Sequence, residues 1–160
     1  MAALPEGLTS RPAVEDDVPA VAAIESAVFP DPWPAHLYLQ EIGQPLRLQL
    51  VVTTARGEVI AYLFGSWQVD ELHVLKVACH PLYEGRGLAT SLLAEALDEV
   101  RRRSGRGVIL EVRPTNLRAV RLYRHLGYHV LARRPRYYAD GEDALVMFLD
   151  TSRATAWQRR

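Results

Sequence analysis

Glu111, Tyr123 and the pair Gly85 and Gly87 are the residues in this chain whose types and spacing best suit chemistry. The two glycines flank Arg86 immediately before an apolar-periodic run. A glycine turn at a helix start offers N–H groups without an intrahelical partner, backed by the positive end of the helix dipole. Glycine also permits unusual backbone angles and lets a phosphate approach the main chain. The segment therefore reads either as a phosphate cradle or as an ordinary turn. Glu111 lies in an apolar stretch with strand character and shares a face with Ile109 and Arg113 by two-residue alternation. That placement suits a proton acceptor, or an ion pair with Arg113. Tyr123 sits on an otherwise apolar helix face, where a phenol of ordinary pKa about 10 can donate a proton or merely pack.

Two kinds of phosphate site compete for the glycines. The hexapeptide GRGLAT partly fits the dinucleotide fingerprint, with Thr90 in place of the third glycine and Glu111 placed 24 residues beyond Gly87. Against it, HPLYE intervenes between strand and glycines, and Glu111 falls in mid-strand rather than at a strand end. No lysine follows the second glycine, so a Walker loop is excluded. The alternative is a site for the pyrophosphate arm of coenzyme A. Cys79, as the single cysteine, reads as a buried apolar residue rather than a covalent nucleophile. His73, His80 and His125 have no metal-ligand spacing with carboxylates or the cysteine, so no metal is expected.

Several elements must hold these residues. A short strand is expected at residues 8–14, and a helix follows with Val18, Val21, Ala22, Ile24 and Val28 apolar. The breaker FPDPWP precedes a short helix at 36–42. Strands at 46–54, 58–69 and 71–79 come next. The clearest helix carries Ala89, Leu92, Leu93, Ala96, Leu97 and Val100 on one stripe and ends in cations and Gly105. A strand at 108–113, a helix at 116–126, and strands at 128–138 and 142–149 complete the chain, with Asp140 and Gly141 at a hairpin tip. The order is β-α-α-β-β-β-α-β-α-β-β. A strand-helix-strand unit at 71–113 favours one parallel pair, and the hairpins favour antiparallel pairing elsewhere. The fold class is therefore α/β (an α+β mixed sheet). Its central sheet is mixed and mostly antiparallel, with helices on both faces.

Composition narrows the class of function. A chain of 160 residues supports one cored domain, expected over 1–150, with a short tail at 151–160. Basic and acidic residues both total 19, so no net field steers the chain toward nucleic acid or membrane. Arginine runs at 101–103, 133–136 and 159–160 read as solvated element ends, with a local basic surface as the alternative. The lone cysteine excludes an intrachain disulfide and agrees with a reducing compartment. No 18-residue apolar stretch is present, and the first residues lack the pattern of a signal peptide. The expected location is the cytoplasm.

Larger motifs add a resemblance. VACHPLYEGRGLATSLL resembles the acetyl-CoA loop of the GNAT N-acetyltransferase superfamily, with Glu84 where glutamine or arginine is usual. ILEVRPTNLRAVRLYRHLGYHV resembles the LEVR-x-x-N-x-x-A-x-x-LY-x-x-x-GF signature of its RimI-type branch, the ribosomal-protein alanine N-terminal acetyltransferases. RYYADGEDALVM and FPDPWP resemble that branch's closing hairpin and proline–tryptophan loop, and Lys76 stands where the branch tends to carry asparagine. The matches span about residues 29–147. The resemblance implies acetyl transfer from acetyl-CoA to a protein N-terminus, with a ribosomal protein as acceptor. It implies Glu111 as general base and Tyr123 as acid. Cofactor contacts are implied at Val77, Ala78, Cys79, Gly85, Arg86, Gly87, Leu88, Ala89, Thr90 and Asn116. Acceptor contacts are expected from Trp33, Tyr137 and Tyr138. A monomer or weak oligomer without direct nucleic-acid or membrane binding is expected. Acetylation of lysines or a small amine is the nearer alternative, and a non-catalytic acyl-CoA-binding module the more distant one.

Overall fold

The computed structural model describes residues 3–152. Its elements run β1 (Thr9–Pro12), α1 (Val18–Val28), α2 (Ala35–Glu41), β2 (Arg47–Thr53), β3 (Val59–Gln68), β4 (Glu71–Cys79), α3 (Leu88–Arg102), β5 (Gly107–Val112), α4 (Leu117–His125), β6 (His129–Arg134) and β7 (Ala144–Asp150). This is the element order expected from the sequence. The strands form one seven-stranded sheet in the order β1-β2-β3-β4-β5-β7-β6. Only β4 and β5 run parallel, joined by α3 as crossover; every other neighbouring pair is antiparallel.

Two cores sandwich the sheet. Helices α1 and α2 cover one face, where Val21, Ile24 and Tyr38 meet Val51, Tyr62, Phe64 and Ala78. Helices α3 and α4 cover the other, where Leu92, Leu93, Leu97, Val120 and Tyr123 meet Leu63, Leu72, Val108 and Leu110. The apolar stripe of α3 drives its docking, since Leu92, Leu93, Leu97 and Val100 are buried. Each such side chain contributes about 1.5–3 kcal/mol of hydrophobic stabilisation. Within α1, Glu25 occupies the apolar stripe and is completely buried.

The final strands differ from expectation. The segment at 128–138 leaves the sheet after Arg134, because Pro135 has no N–H for the ladder and Arg136 turns the chain at φ 50°. Tyr137 and Tyr138 therefore lie in the connection between β6 and β7 rather than in a strand. Asp140 and Gly141 still make a turn there, closed by Gly141 N–H donating to Tyr138 O at 2.9 Å. The arginine runs mostly meet local carboxylates: Arg102 and Arg103 pair with Glu99, and Arg133 pairs with Asp143. Arg159 and Arg160, like most of the expected tail, lie outside the described residues.

The seam between β4 and β5 is short. Glu71–Val74 pair with Gly107–Leu110, and the ladder then stops. Beyond it β4 stays with β3, Lys76 opposite Phe64 and Cys79 opposite Ala61, while β5 stays with β7 as far as Val112 opposite Leu145. The register of β3 against β4 shifts between Phe64 and Gly65, so Leu75 is the extra residue of a β-bulge. The bulge bends β4 where the strands part, which opens a cleft in mid-sheet. Gly107 anchors the closed end. A Cβ there would lie 2.3 Å from Leu149 O and 2.5 Å from the Phe148 ring. Gly107→Ala is expected to cost about 1–3 kcal/mol through overpacking. A thermal melt reads this loss, and an unchanged midpoint would contradict the tight approach of β7.

Candidate active site

The cleft opens into a cavity of about 490 Å³. Its lining includes Glu111 and Arg113 from β5 and its end, His73, Lys76 and Val77 from β4, and Asn116 and Tyr123 from the α4 region. Phe29, Asp31 and Trp33 close one side, and Tyr137 and Tyr138 the other. Alternation explains why so many elements converge. Leu72 and Val74 point to the α3 side, so His73 faces the α1 side; Leu110 and Val112 place Glu111 on that face too. Tyr123 belongs to the opposite core. Glu111 and Tyr123 thus approach from different faces, and the missing ladder beyond Val74 and Leu110 is what lets both line one space.

Glu111 does not pair with Arg113, which the sequence left open. Its Oε2 lies 2.5 Å from His73 Nε2. Arg113 instead bridges the walls, reaching Asp31 at 3.2 Å, Asp140 at 2.8 Å and Glu142 at 3.0 Å, with its guanidinium 4.0 Å from the Tyr138 ring centroid. Burial opposes this charge, but the three carboxylates outweigh it and raise the guanidinium's pKa above its ordinary value. Tyr123 is almost wholly buried, and burial pushes its phenol up to about 12. It remains protonated throughout the neutral range.

A second network lies beneath Trp33. Glu25 Oε1 accepts from Tyr38 OH at 2.5 Å and Tyr62 OH at 2.6 Å, while Oε2 accepts from Trp33 N–H at 2.9 Å and meets Lys76 Nζ at 2.8 Å. The Lys76 ammonium also lies 4.2 Å from the Phe29 ring centroid. One buried carboxylate therefore ties α1, α2, β3, β4 and the proline–tryptophan loop together. Sequence reasoning missed Glu25, Tyr38, Tyr62 and His73 as site residues. The signal for Glu25 was its position on the apolar stripe, one turn after Val21.

The glycine loop sits past the end of β4, outside the cavity lining. Gly85 and Gly87 have φ of 76° and 77°, and no atom lies within 4 Å of a Cβ built on either. The first helical bond of α3 runs from Ser91 N–H to Gly87 O. The N–H groups of Leu88, Ala89 and Thr90 precede it and have no intrahelical carbonyl. Leu88 contributes its backbone alone, since its side chain is buried in the core. Arg86 stacks 4.8 Å from the Tyr83 ring centroid, and Glu84 pairs with Arg118 of α4 at 2.7 Å. Asn116 Oδ1 accepts from Ala119 N–H at 3.2 Å, so it caps α4 while also lining the cavity. Burial, followed by the Glu84 carboxylate, pushes the Cys79 thiol's pKa up. That disfavours the thiolate needed for nucleophilic attack. Beyond Val74 the edge of β4 that faces β5 has no partner strand, and the open glycine loop and start of α3 follow β4 in the chain.

Comparison with known proteins agrees with this geometry. The family model for the acetyltransferase (GNAT) family matches residues 18–128. The [ribosomal protein bS18]-alanine N-acetyltransferase of Escherichia coli is 34% identical over 140 residues, which covers 85% of this chain and 93% of the relative. The N-alpha-acetyltransferase RimI of Mycobacterium tuberculosis is 33% identical over 158 residues, covering 94% and 98% respectively. A crystal structure of the Escherichia coli ribosomal-protein-S18-alanine N-acetyltransferase superposes with a TM-score of 0.82 at 31% identity, over 93% of this chain and 97% of that one. With the motif, the fold and the cavity in agreement, the chain belongs to the GNAT acetyltransferase family.

Proposed function

We propose that this enzyme acetylates the N-terminal α-amino group of a protein, with an alanine-starting ribosomal protein as acceptor, as the names of its relatives suggest. The observation that carries the reading is the meeting of Glu111 and Tyr123, from opposite faces of the sheet, in one cavity at the β4–β5 opening. Acetyl-CoA supplies an activated acyl thioester and a good leaving thiolate. Val77, Ala78 and Cys79 would hold its pantetheine arm along the free β4 edge. Gly85, Arg86, Gly87, Leu88, Ala89 and Thr90 would hold its phosphates, and Asn116 the far side of the cleft.

The chemistry suits an α-amine. Its pKa of about 7.7–8.0 leaves roughly a tenth neutral at pH 7, whereas a lysine amine near 10.4 is neutral less than about one part in a thousand. A single carboxylate is enough help for the former, and Glu111 takes the proton at its Oε atoms. Tyr123 supports sulfur departure. Because its phenol titrates near 12 and a free thiol near about 8.5, it keeps its proton and stabilises the developing charge through a hydrogen bond. Trp33, Tyr137 and Tyr138 frame the acceptor's entry, held in place by Glu25 on one side and Arg113 on the other.

A ribosomal acceptor supports work in the cytoplasm. No helix among the described residues is long and apolar enough to cross a membrane. Paired arginines and balanced charge support an acceptor that is protein rather than nucleic acid. The test is acetyl-CoA turnover against peptides that vary in their first residue, with blocked N-termini and internal lysines as controls. Turnover is expected on free alanine N-termini and at least about tenfold less on lysine-only peptides, given their lower neutral fraction. Equal turnover on the blocked peptides would sink the N-terminal assignment.

A further inference from the structure

The cavity wall that carries Trp33 has little backbone hydrogen bonding of its own. Pro30, Pro32 and Pro34 offer no N–H, so side chains must fasten it. Trp33 N–H donates to Glu25 at 2.9 Å, which ties the wall to α1 beneath it. The second fastening is Asp31, whose Oδ1 lies 3.2 Å from Arg113 Nη2. Arg113 stands two residues beyond Glu111, on the same face by alternation. Its Nη1 is committed to the opposite wall, donating to Asp140 at 2.8 Å and to Glu142 at 3.0 Å, and its guanidinium lies 4.0 Å from the Tyr138 ring centroid. Glu142 is pinned in turn by the Thr115 N–H at 3.1 Å and the Thr115 hydroxyl at 2.6 Å. One fork-shaped cation therefore reaches from the loop after α1 to the loop after β6, and both loops line the cavity.

We infer that Arg113 is a positioning residue that ties the Trp33 wall to the Tyr137–Tyr138 wall through Asp31, and so fixes the width of the acceptor's entry. The inference rests on the proposed reading that a peptide N-terminus enters between these walls. The tie is asymmetric. The Arg113 side chain is 13% exposed and keeps two carboxylates on the Tyr138 side even when Asp31 leaves, so no buried charge is stranded. Asp31 is 39% exposed and is the end that lets go. Without it the Trp33 wall keeps only its inner fastening at Glu25 and pivots there. An acceptor must then order the wall before it binds, and that cost falls on binding rather than on the chemical step.

Asp31→Ala cuts the bridge at its exposed end and leaves Arg113 in place. On an alanine-starting peptide at saturating acetyl-CoA, D31A is expected to raise the peptide KM about fivefold with kcat within about twofold of the wild type. Asp31→Glu keeps the carboxylate and should return KM to within about twofold. Amide exchange needs no acceptor: in D31A it should quicken about fivefold or more at residues 29–34 and stay unchanged at 136–141. Unchanged exchange at 29–34, an unchanged peptide KM in D31A, or a D31E as impaired as D31A overturns the inference. The double variant D31A/R113Q separates a tie from direct contact between Asp31 and the acceptor. If Asp31 acts through Arg113, the double variant has the KM of R113Q alone; a further rise of about fivefold overturns the inference. Where R113Q does not fold, D31A and D31E decide. A wild type that prefers lysine-only peptides sinks the N-terminal reading, and the exchange measurement then decides the tie by itself.

Discussion

Glu111→Gln is expected to lower kcat/KM by about a hundredfold at pH 7 while leaving the melting temperature within a few degrees of the wild type. The amide is nearly isosteric and can still meet His73, so packing survives, but it cannot take a proton. General acid–base groups contribute about 10²–10⁴-fold. The low end applies here because roughly a tenth of an α-amine is neutral already. KM for acetyl-CoA should barely move, since Glu111 lies on the α1 face and the proposed cofactor track follows the β4 edge and the α3 start. Tyr123→Phe is expected to act differently, reducing kcat with less effect on its pH dependence, because its phenol does not titrate below about 12. Steady-state kinetics at several pH values distinguishes the two, and full activity in both variants would remove the mechanism.

The largest expected loss of stability follows Glu25→Ala. Four donors converge on this one carboxylate: the Tyr38 and Tyr62 hydroxyls, the Trp33 N–H and the Lys76 ammonium. Removing it leaves two buried hydroxyls unpaired and strands a cation whose side chain is only 14% exposed. Breaking a buried pair from one side costs about 3–5 kcal/mol. For a chain of this size that lowers the melting temperature by about 10 °C. The charge can be isolated with a milder pair of variants. Glu25→Gln keeps volume and two acceptor sites but leaves Lys76 without a counter-charge. Adding Lys76→Met removes that charge, so the double variant should melt above E25Q. If it melts lower, the lysine contributes packing rather than an uncompensated charge.

Much of the framework was readable in the sequence because it repeats locally. The α3 stripe and the order of elements follow from spacing within about fifteen residues, and the strand-helix-strand unit announces the parallel pair. Glu111 could be placed on a strand face by alternation alone. Its partner could not. His73 and Glu111 are 38 residues apart, on strands joined through the whole of the α3 crossover. Lys76 was conspicuous as a departure from the branch's asparagine, yet its meaning depends on Glu25, which lies on another element and the same face. That shared face is itself the product of the Leu75 bulge, which shifts the alternation of β4 by one residue. A bulge leaves no mark in hydrophobic periodicity beyond a local irregularity. The over-long final strand has a different cause: two aromatics after Pro135 read as strand residues by propensity, while the proline and Arg136 had already turned the chain.

The four-pair seam between β4 and β5 has a mechanical consequence. It divides the hydrogen-bonded sheet into a four-stranded half and a three-stranded half, coupled at one end only. Forces that spread those halves are resisted by Glu71–Val74 and by α3 packed across them, but not by any ladder at the open end. On the proposed placement of acetyl-CoA, a donor seated in the gap is expected to brace the two halves against each other. Added acetyl-CoA is therefore expected to slow amide exchange along the β4 edge, and unchanged exchange there would argue against this bracing.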